Sequence, residues 1–168
     1  MRQPKHRRSD IIECAMNVAL EMADRSEDPF TRVGAVALTG DNRIIATAYN
    51  GLLPGYQISD LEKHLLAVPP NDFRTERLPF MVHAEQNLCS LIKRGEARHC
   101  IINICPCPSC MLLLAVCGIK KVTFLEYYHR DARAESIAKF YDLELVQYVG
   151  PCKRRVTRVN PRTSQVKK

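Results

Sequence analysis

The chain has no apolar run near the roughly 18–20 residues needed to cross a bilayer. Its opening, MRQPKHRRSD, has no apolar stretch of the kind that makes a secretory signal. There is no internal repeat, and there is no second CxxC or any HxxxH to complete a closed four-ligand zinc knuckle. Eight cysteines without a leader or a small, loop-rich scaffold do not read as a disulfide framework, so reduced thiols are expected, some of them on a metal. These absences exclude a membrane protein and point to a cytoplasmic one.

What is present fits one globular domain. At 168 residues, 46% apolar and 26% charged, the chain can bury a core without staples. The net charge of +7 sits at the ends: residues 1–10 and 150–168 together carry +10, leaving −3 for residues 11–149. The expected organisation is therefore a domain over 1–149 followed by a basic, flexible tail over 150–168. A basic tail can touch nucleic acid, but solvated disorder is the simpler account of it, and with a mildly acidic body the overall charge is poor evidence for a nucleic-acid substrate, so no nucleic-acid partner is expected.

Ile11, Ile12, Ala15, Met16, Ala19, Leu20 and Ala23 recur at helical spacing, which predicts a helix over 10–25 capped by Ser9. VGAVALT and RIIATAYN flank Gly40, Asp41 and Asn42, the chemistry of a hairpin turn. Residues 51–80 are broken by prolines, with a short helix expected in SDLEKHLLA behind Ser59, and a connection this long usually has a function. A helix over 83–94 stopped by Gly95, the strand CIINI, the helix PSCMLLLAVC stopped by Gly118, the strand IKKVTFL, the helix DARAESIAKFYD and the strand LELVQYV complete the chain. Five strands, two in a hairpin and the rest joined through helices, predict an α/β fold: three α/β/α layers around a mixed five-stranded sheet.

The segment NICPCPSCM carries the densest chemistry. Cys107 and Cys110 have CxxC spacing, and three readings compete for them: a redox pair, half of a structural zinc site, or two ligands of a catalytic zinc. Pro108 suits the first position of a helix, which puts Cys107 at its cap and Cys110 in its first turn, where the helix dipole favours thiolates. Upstream, His83 and Glu85 open another helix in HAE. His83, Cys107 and Cys110 supply three ligands and leave one position for water; Glu85, two residues from His83, points elsewhere and is placed to move protons. Cys105 ends the preceding strand and reads as packing.

HxE followed by PCxxC is the signature of the zinc nucleobase deaminases, and H83-A84-E85 with P106-C107-P108-S109-C110 has that order. With DPFTRVGAV at 28–36, YNGLLPG at 49–55, HAEQN at 83–87 and GIKKVTF at 118–124, the chain from Ser9 to Val149 resembles the cytidine deaminase superfamily and, within it, the deoxycytidylate deaminase branch. The resemblance implies hydrolytic deamination of dCMP to dUMP and ammonia, feeding dTMP synthesis, with one Zn²⁺ per chain on His83, Cys107 and Cys110, Glu85 as the proton shuttle, and no organic cofactor. It further implies that Asn50 contacts sugar or base, that the Ala84 N–H meets the base carbonyl, that Val33, Gly34 and Ala35 wall the pyrimidine pocket, and that Tyr128 packs near the nucleotide. Arg94 and Arg130 are candidate phosphate partners, each equally readable as a solvated charge. Many members of the branch are hexamers activated by dCTP and inhibited by dTTP; here GLLPGYQ is one residue longer than the usual pattern between Gly51 and Pro54. Two other readings stay open: a tRNA adenosine deaminase, which shares HAE and PCxxC, and a catalytically silent binding subunit of the same fold.

Overall fold

The computed structural model describes residues 9–65, 72–127 and 131–152. Helix α1 spans Ile11–Ala23, and its cap is Asp10, whose carboxylate accepts the Ile12 N–H at 3.4 Å, not the expected Ser9. Its buried residues Ala15, Met16, Ala19, Leu20 and Ala23 form one stripe, the face that the periodicity of the sequence marks out. Strands β1 (Gly34–Leu38) and β2 (Ile44–Tyr49) pair antiparallel as the hairpin chemistry implies. Asn42 takes the left-handed conformation at the turn, with φ +64°, which asparagine tolerates better than most residues.

The 51–80 segment holds more regular structure than its prolines suggest. Helix α2 (Ile58–His64) starts after Gln57, whose backbone N–H is accepted by Asp60 at 2.9 Å, so the expected cap at Ser59 is displaced by two residues. Helix α3 (Phe73–Glu76) and a 3-10 turn (Leu78–Phe80) follow. Helix α4 covers only Ala84–Ser90, shorter than the predicted 83–94: the Leu91 N–H turns back to Leu88, three residues away, and the chain loops through Gly95 at φ +82°. Then come β3 (His99–Ile104), α5 (Pro108–Val116), β4 (Lys121–Glu126), α6 (Ala132–Phe140) and β5 (Glu144–Gln147). The described residues thus contain six α-helices: the four principal helices and the short α2 that were expected, and α3 in addition.

The sheet order is β2-β1-β3-β4-β5, antiparallel across β2-β1-β3 and parallel across β3-β4-β5. This is the expected mixed sheet in three layers. Helix α1 covers one face, its Met16 and Ala19 packing with Val36, Leu38 and Ile101; α4, α5 and α6 cover the other, where Leu88, Met111, Leu114, Ala134 and Ala138 meet Ile102, Val122 and Phe124. Gly34 permits the first contact, since a Cβ there would lie 2.0 Å from the Ala19 carbonyl oxygen. The parallel half matters most for the site: β3 delivers the chain straight into the start of α5, beside the start of α4 on the same face. The open ends of parallel strands are where α/β sheets place their ligands.

Candidate active site

His83 is the residue before the first turn of α4, and Cys107 holds the equivalent place before α5. Two constraints fix His83: Gly51 and Val82 exchange backbone hydrogen bonds at 3.1 and 2.8 Å just before it, and its own N–H is accepted by Gln86 at 2.7 Å. Pro108 occupies the first position of α5 and lacks only an N–H that the helix would leave unpaired there. One turn later Cys110 points the same way as Cys107. The result is that Nδ1 of His83 lies 3.3 Å from Sγ of Cys110 and 3.8 Å from Sγ of Cys107, with all three atoms within 4.8 Å of one another.

That triangle fits zinc. Ordinary Zn–N and Zn–S bonds in a tetrahedron separate nitrogen from sulfur by about 3.5 Å, and two thiolates with an imidazole are a typical zinc donor set. Among the described residues no other group of histidine, cysteine or acidic side chains converges in this way, in keeping with one ion per chain. Electrostatics agree. A hydrogen bond from Cys110, helped by His83, pulls the Cys107 thiol down to about 4. The resulting thiolate, with burial, pushes Cys110 well up, so the metal-free site holds one thiolate and sheds its second proton on taking up a cation. The same Cys107 thiolate raises His83.

Glu85, only 4% exposed, stands beside these ligands in the first turn of α4. Burial pushes its carboxyl up to about 7, into the range where a group both takes and gives protons at neutral pH. A cavity of about 560 Å³ opens in front of it, of a size that holds a small ligand. Asn50, Val33, Ala84, Met81 and Thr31 line it along with His83, Glu85 and Cys107.

The other expected site residues divide. Asn50 is buried and braces the wall: its Oδ1 accepts the Val33 N–H and its Nδ2 donates to the Thr31 carbonyl, both at 2.8 Å. Ala84 begins α4, so its N–H is one of those a helix leaves without an internal partner. Val33 faces the cavity, whereas Gly34 and Ala35 lie within β1 and are not among its walls; Gly34 meets α1 instead. Arg94 is exposed and also off the cavity. Tyr128 and Arg130 lie outside the described residues.

Sequence reasoning missed three residues. Arg77 is 2% exposed and its guanidinium grips Asp28, itself 2% exposed, through contacts of 2.9 Å to both carboxylate oxygens. Asp28 also accepts the N–H groups of Phe30 and Thr31, at 2.8 and 3.2 Å, and thereby shapes the turn that carries Thr31 and Val33 into the cavity wall. Asn103, on β3, holds the backbone on either side of Val33: its Oδ1 accepts the Gly34 N–H at 2.9 Å and its Nδ2 donates to the Arg32 carbonyl at 3.0 Å. Asp28 was visible only inside the family-like stretch DPFTRVGAV, and nothing local distinguishes Arg77.

Cys105 also lines the cavity, but burial pushes its thiol up to about 12 and it stands outside the triangle. Cys105→Ser is therefore expected to keep about one zinc per chain by metal analysis, while Cys107→Ser loses most of it. Equal loss in both would make Cys105 a ligand.

Residues 9–126 match the family model of the cytidine and deoxycytidylate deaminase zinc-binding region. The deoxycytidylate deaminase of Pongo abelii is 29% identical over 171 residues, 95% of this chain and 94% of that one. Its counterpart in Homo sapiens is 28% identical over the same shares. Among solved structures, the dCMP deaminase of the cyanophage S-TIM5 in complex with dCMP and dUMP aligns with a TM-score of 0.64 and 22% identity, covering 85% of this chain and all of that one, which shows a common fold.

Proposed function

The chain belongs to the cytidine and deoxycytidylate deaminase family, and we propose that it hydrolyses dCMP to dUMP and ammonia. The observation that carries this reading is the convergence of His83, Cys107 and Cys110 on one point beside the buried carboxyl of Glu85, at the end of a cavity of nucleotide size. The full-length likeness to deoxycytidylate deaminases selects the substrate.

His83, Cys107 and Cys110 would hold the zinc. When bound, zinc supplies Lewis-acid activation of the water that the reaction consumes. Glu85 takes one proton from that water and gives it to N3 of the cytosine ring as the oxygen bonds to C4; it then takes the remaining proton of the C4 hydroxyl and gives it to the amine, so that the C4–N bond breaks, the C4 carbonyl forms and ammonia departs. Burial suits Glu85 to the task because it raises the carboxyl towards neutrality, and a neighbouring cation draws it back so that both protonation states are reached. The Ala84 N–H donates to the base carbonyl. Val33 and Met81 give the ring an apolar wall, and Asn50 holds that wall in place while presenting its edge to the sugar.

The same reading places the reaction upstream of dTMP synthesis, with dCTP as activator and dTTP as inhibitor of a homo-oligomer, a hexamer. Its support is the family resemblance, the helices α2 and α3 between residues 51 and 80, and the exposed apolar side chains Leu91, Leu112 and Val116 on or just after the packed helices α4 and α5. The test is a panel of dCMP, dCTP, deoxycytidine and tRNA, followed by base conversion with and without dCTP and dTTP. We expect dCMP to be the preferred substrate by kcat/KM. Editing of tRNA adenosine without dCMP turnover, or no turnover of any cytosine compound by zinc-loaded protein, would overturn the reading.

A further inference from the structure

Strand β1 runs between β2 and β3, and both of its ladders end where the cavity begins. Towards β2 the last pair is Gly34 with Tyr49, and towards β3 it is Ala35 with Ile102. One residue further on in those registers Val33 faces Asn50 and Gly34 faces Asn103. On the β2 side half of the next rung survives: the Asn50 N–H still reaches the Val33 carbonyl at 3.0 Å, while the Val33 N–H goes to Asn50 Oδ1. On the β3 side the carboxamide of Asn103 takes over, its Oδ1 accepting the Gly34 N–H and its Nδ2 donating to the Arg32 carbonyl. We propose that Asn103 is a positioning residue that sets the width of the base slot: inserted between β1 and β3, it fixes Val33 relative to the strand that leads to Cys107 and so limits the size of pyrimidine the site admits. This rests on the reading of the site as a cytosine nucleotide deaminase.

The split between the two strands opens directly onto the cavity. Thr31 and Val33 line it from the chain that enters β1, and Ile104, Cys105 and Cys107 line it from the chain that leaves β3. Had the ladder continued by backbone pairing, Val33 and Ile104 would be the next facing residues but one, with strand backbones about 5 Å apart and no opening between them. Asparagine suits the fork because it carries an acceptor and a donor on one short arm, as a peptide unit does. Asn103 is 1% exposed, so water cannot replace either bond.

Chemistry says which part of the base meets this wall. Glu85, the metal ligands and the Ala84 N–H serve the polar side of the ring, that is N3, C4 and the carbonyl. The ring faces and the C5–C6 edge are left to apolar walls, and Val33 and Ile104 are the aliphatic side chains that the two diverging chains supply. A methyl group on C5 therefore gauges the slot, since one such group in an apolar pocket changes specificity by about 10- to 200-fold.

The experiment compares zinc-loaded wild type with Asn103→Ala, Asn103→Gln, Val33→Ala and the double variant Val33→Ala with Asn103→Gln, by steady-state kinetics on dCMP and 5-methyl-dCMP. Wild type is expected to prefer dCMP. Asn103→Gln keeps both amide groups on a longer arm, and its preference by kcat/KM should fall about 10-fold. Asn103→Ala releases the wall, so the preference should fall similarly and KM for dCMP should rise about 10-fold, with kcat little changed because Glu85 and the metal ligands are untouched. The double variant should be no less selective than Val33→Ala alone, and a further fall would overturn the action through Val33. A folding defect scales both substrates by one factor and leaves their ratio alone, so the ratio separates positioning from stability, which zinc content and thermal midpoint report. An unchanged ratio in both Asn103 variants, or a wild type that does not distinguish the two substrates, would overturn the slot assignment and leave dCMP deamination standing. A zinc-loaded wild type that converts neither compound would sink the reading of the site and this one with it.

Discussion

Replacing Glu85 with glutamine is expected to lower kcat for dCMP by about 10³-fold, within the range for losing a general acid/base, and to leave about one zinc per chain in place. Glutamine keeps the shape of the side chain and can neither take the water's proton nor protonate N3. The metal triangle of His83, Cys107 and Cys110 does not use Glu85, so metal analysis should not register the change. A second effect has the opposite sign. In the metal-free folded chain burial pushes the Glu85 carboxyl up to about 7 from its ordinary 4.5. Burial therefore costs stability as the pH rises from 4.5 to 7, and the cost stays in full above that. Glutamine has no charge to bury, so metal-free Glu85→Gln should be more stable than wild type by roughly 3 kcal/mol at pH 8 and little different below pH 4.5. Denaturant melts at the two pH values measure this. Normal turnover in the variant would refute the catalytic role, and an equal stability difference at both pH values would refute the burial argument.

The parts of this molecule that could be read from its sequence are those whose cause is local. Helix α1 followed from the spacing of Ala15, Met16, Ala19 and Ala23, and the strands from short apolar runs bounded by turn residues, because burial of one face imposes those periods. Caps were misplaced by one or two positions, Asp10 for Ser9 and Gln57 for Ser59, since neighbouring polar side chains compete for the same N–H groups and the backbone entry angle decides. Helix α4 was expected to be too long because Leu91 and Ile92 continue its apolar pattern, although the hydrogen bonds tighten at Leu91 and the chain turns. In the site, His83, Glu85, Cys107 and Cys110 were legible because each pair lies at the start of one helix and the connection between them had to bring two helix starts together. The wall opposite was not legible. Arg77 is 49 residues from Asp28, in a proline-broken stretch without periodicity, and an arginine there reads as a surface charge.

That buried pair leads to the largest expected effect on stability. Arg77→Met should destabilise the protein by about 3–5 kcal/mol, because it leaves the Asp28 carboxylate in the interior with two backbone N–H donors and no cation. Asp28→Asn should cost a similar amount for the converse reason, although asparagine can still accept from Phe30 and Thr31. Combining Asp28→Asn with Arg77→Met removes both charges, and most of the loss should return, so the double variant should be more stable than either single variant and the coupling energy in the double-mutant cycle should exceed either single loss. Additive losses would mean that the two side chains contribute as packing and not as a pair. Recovery of stability need not recover function. Arg77 is the residue through which the 72–80 segment is fastened to the Asp28 turn, and that segment carries Arg74, Thr75 and Leu78 along the rim of the cavity. A methionine offers no fork to fix its position, so the double variant should regain its melting midpoint while its KM for dCMP stays raised about 10-fold, the scale of one misplaced binding contact. Wild-type KM in the stabilised double variant would show that the ion pair holds the fold together without positioning the rim.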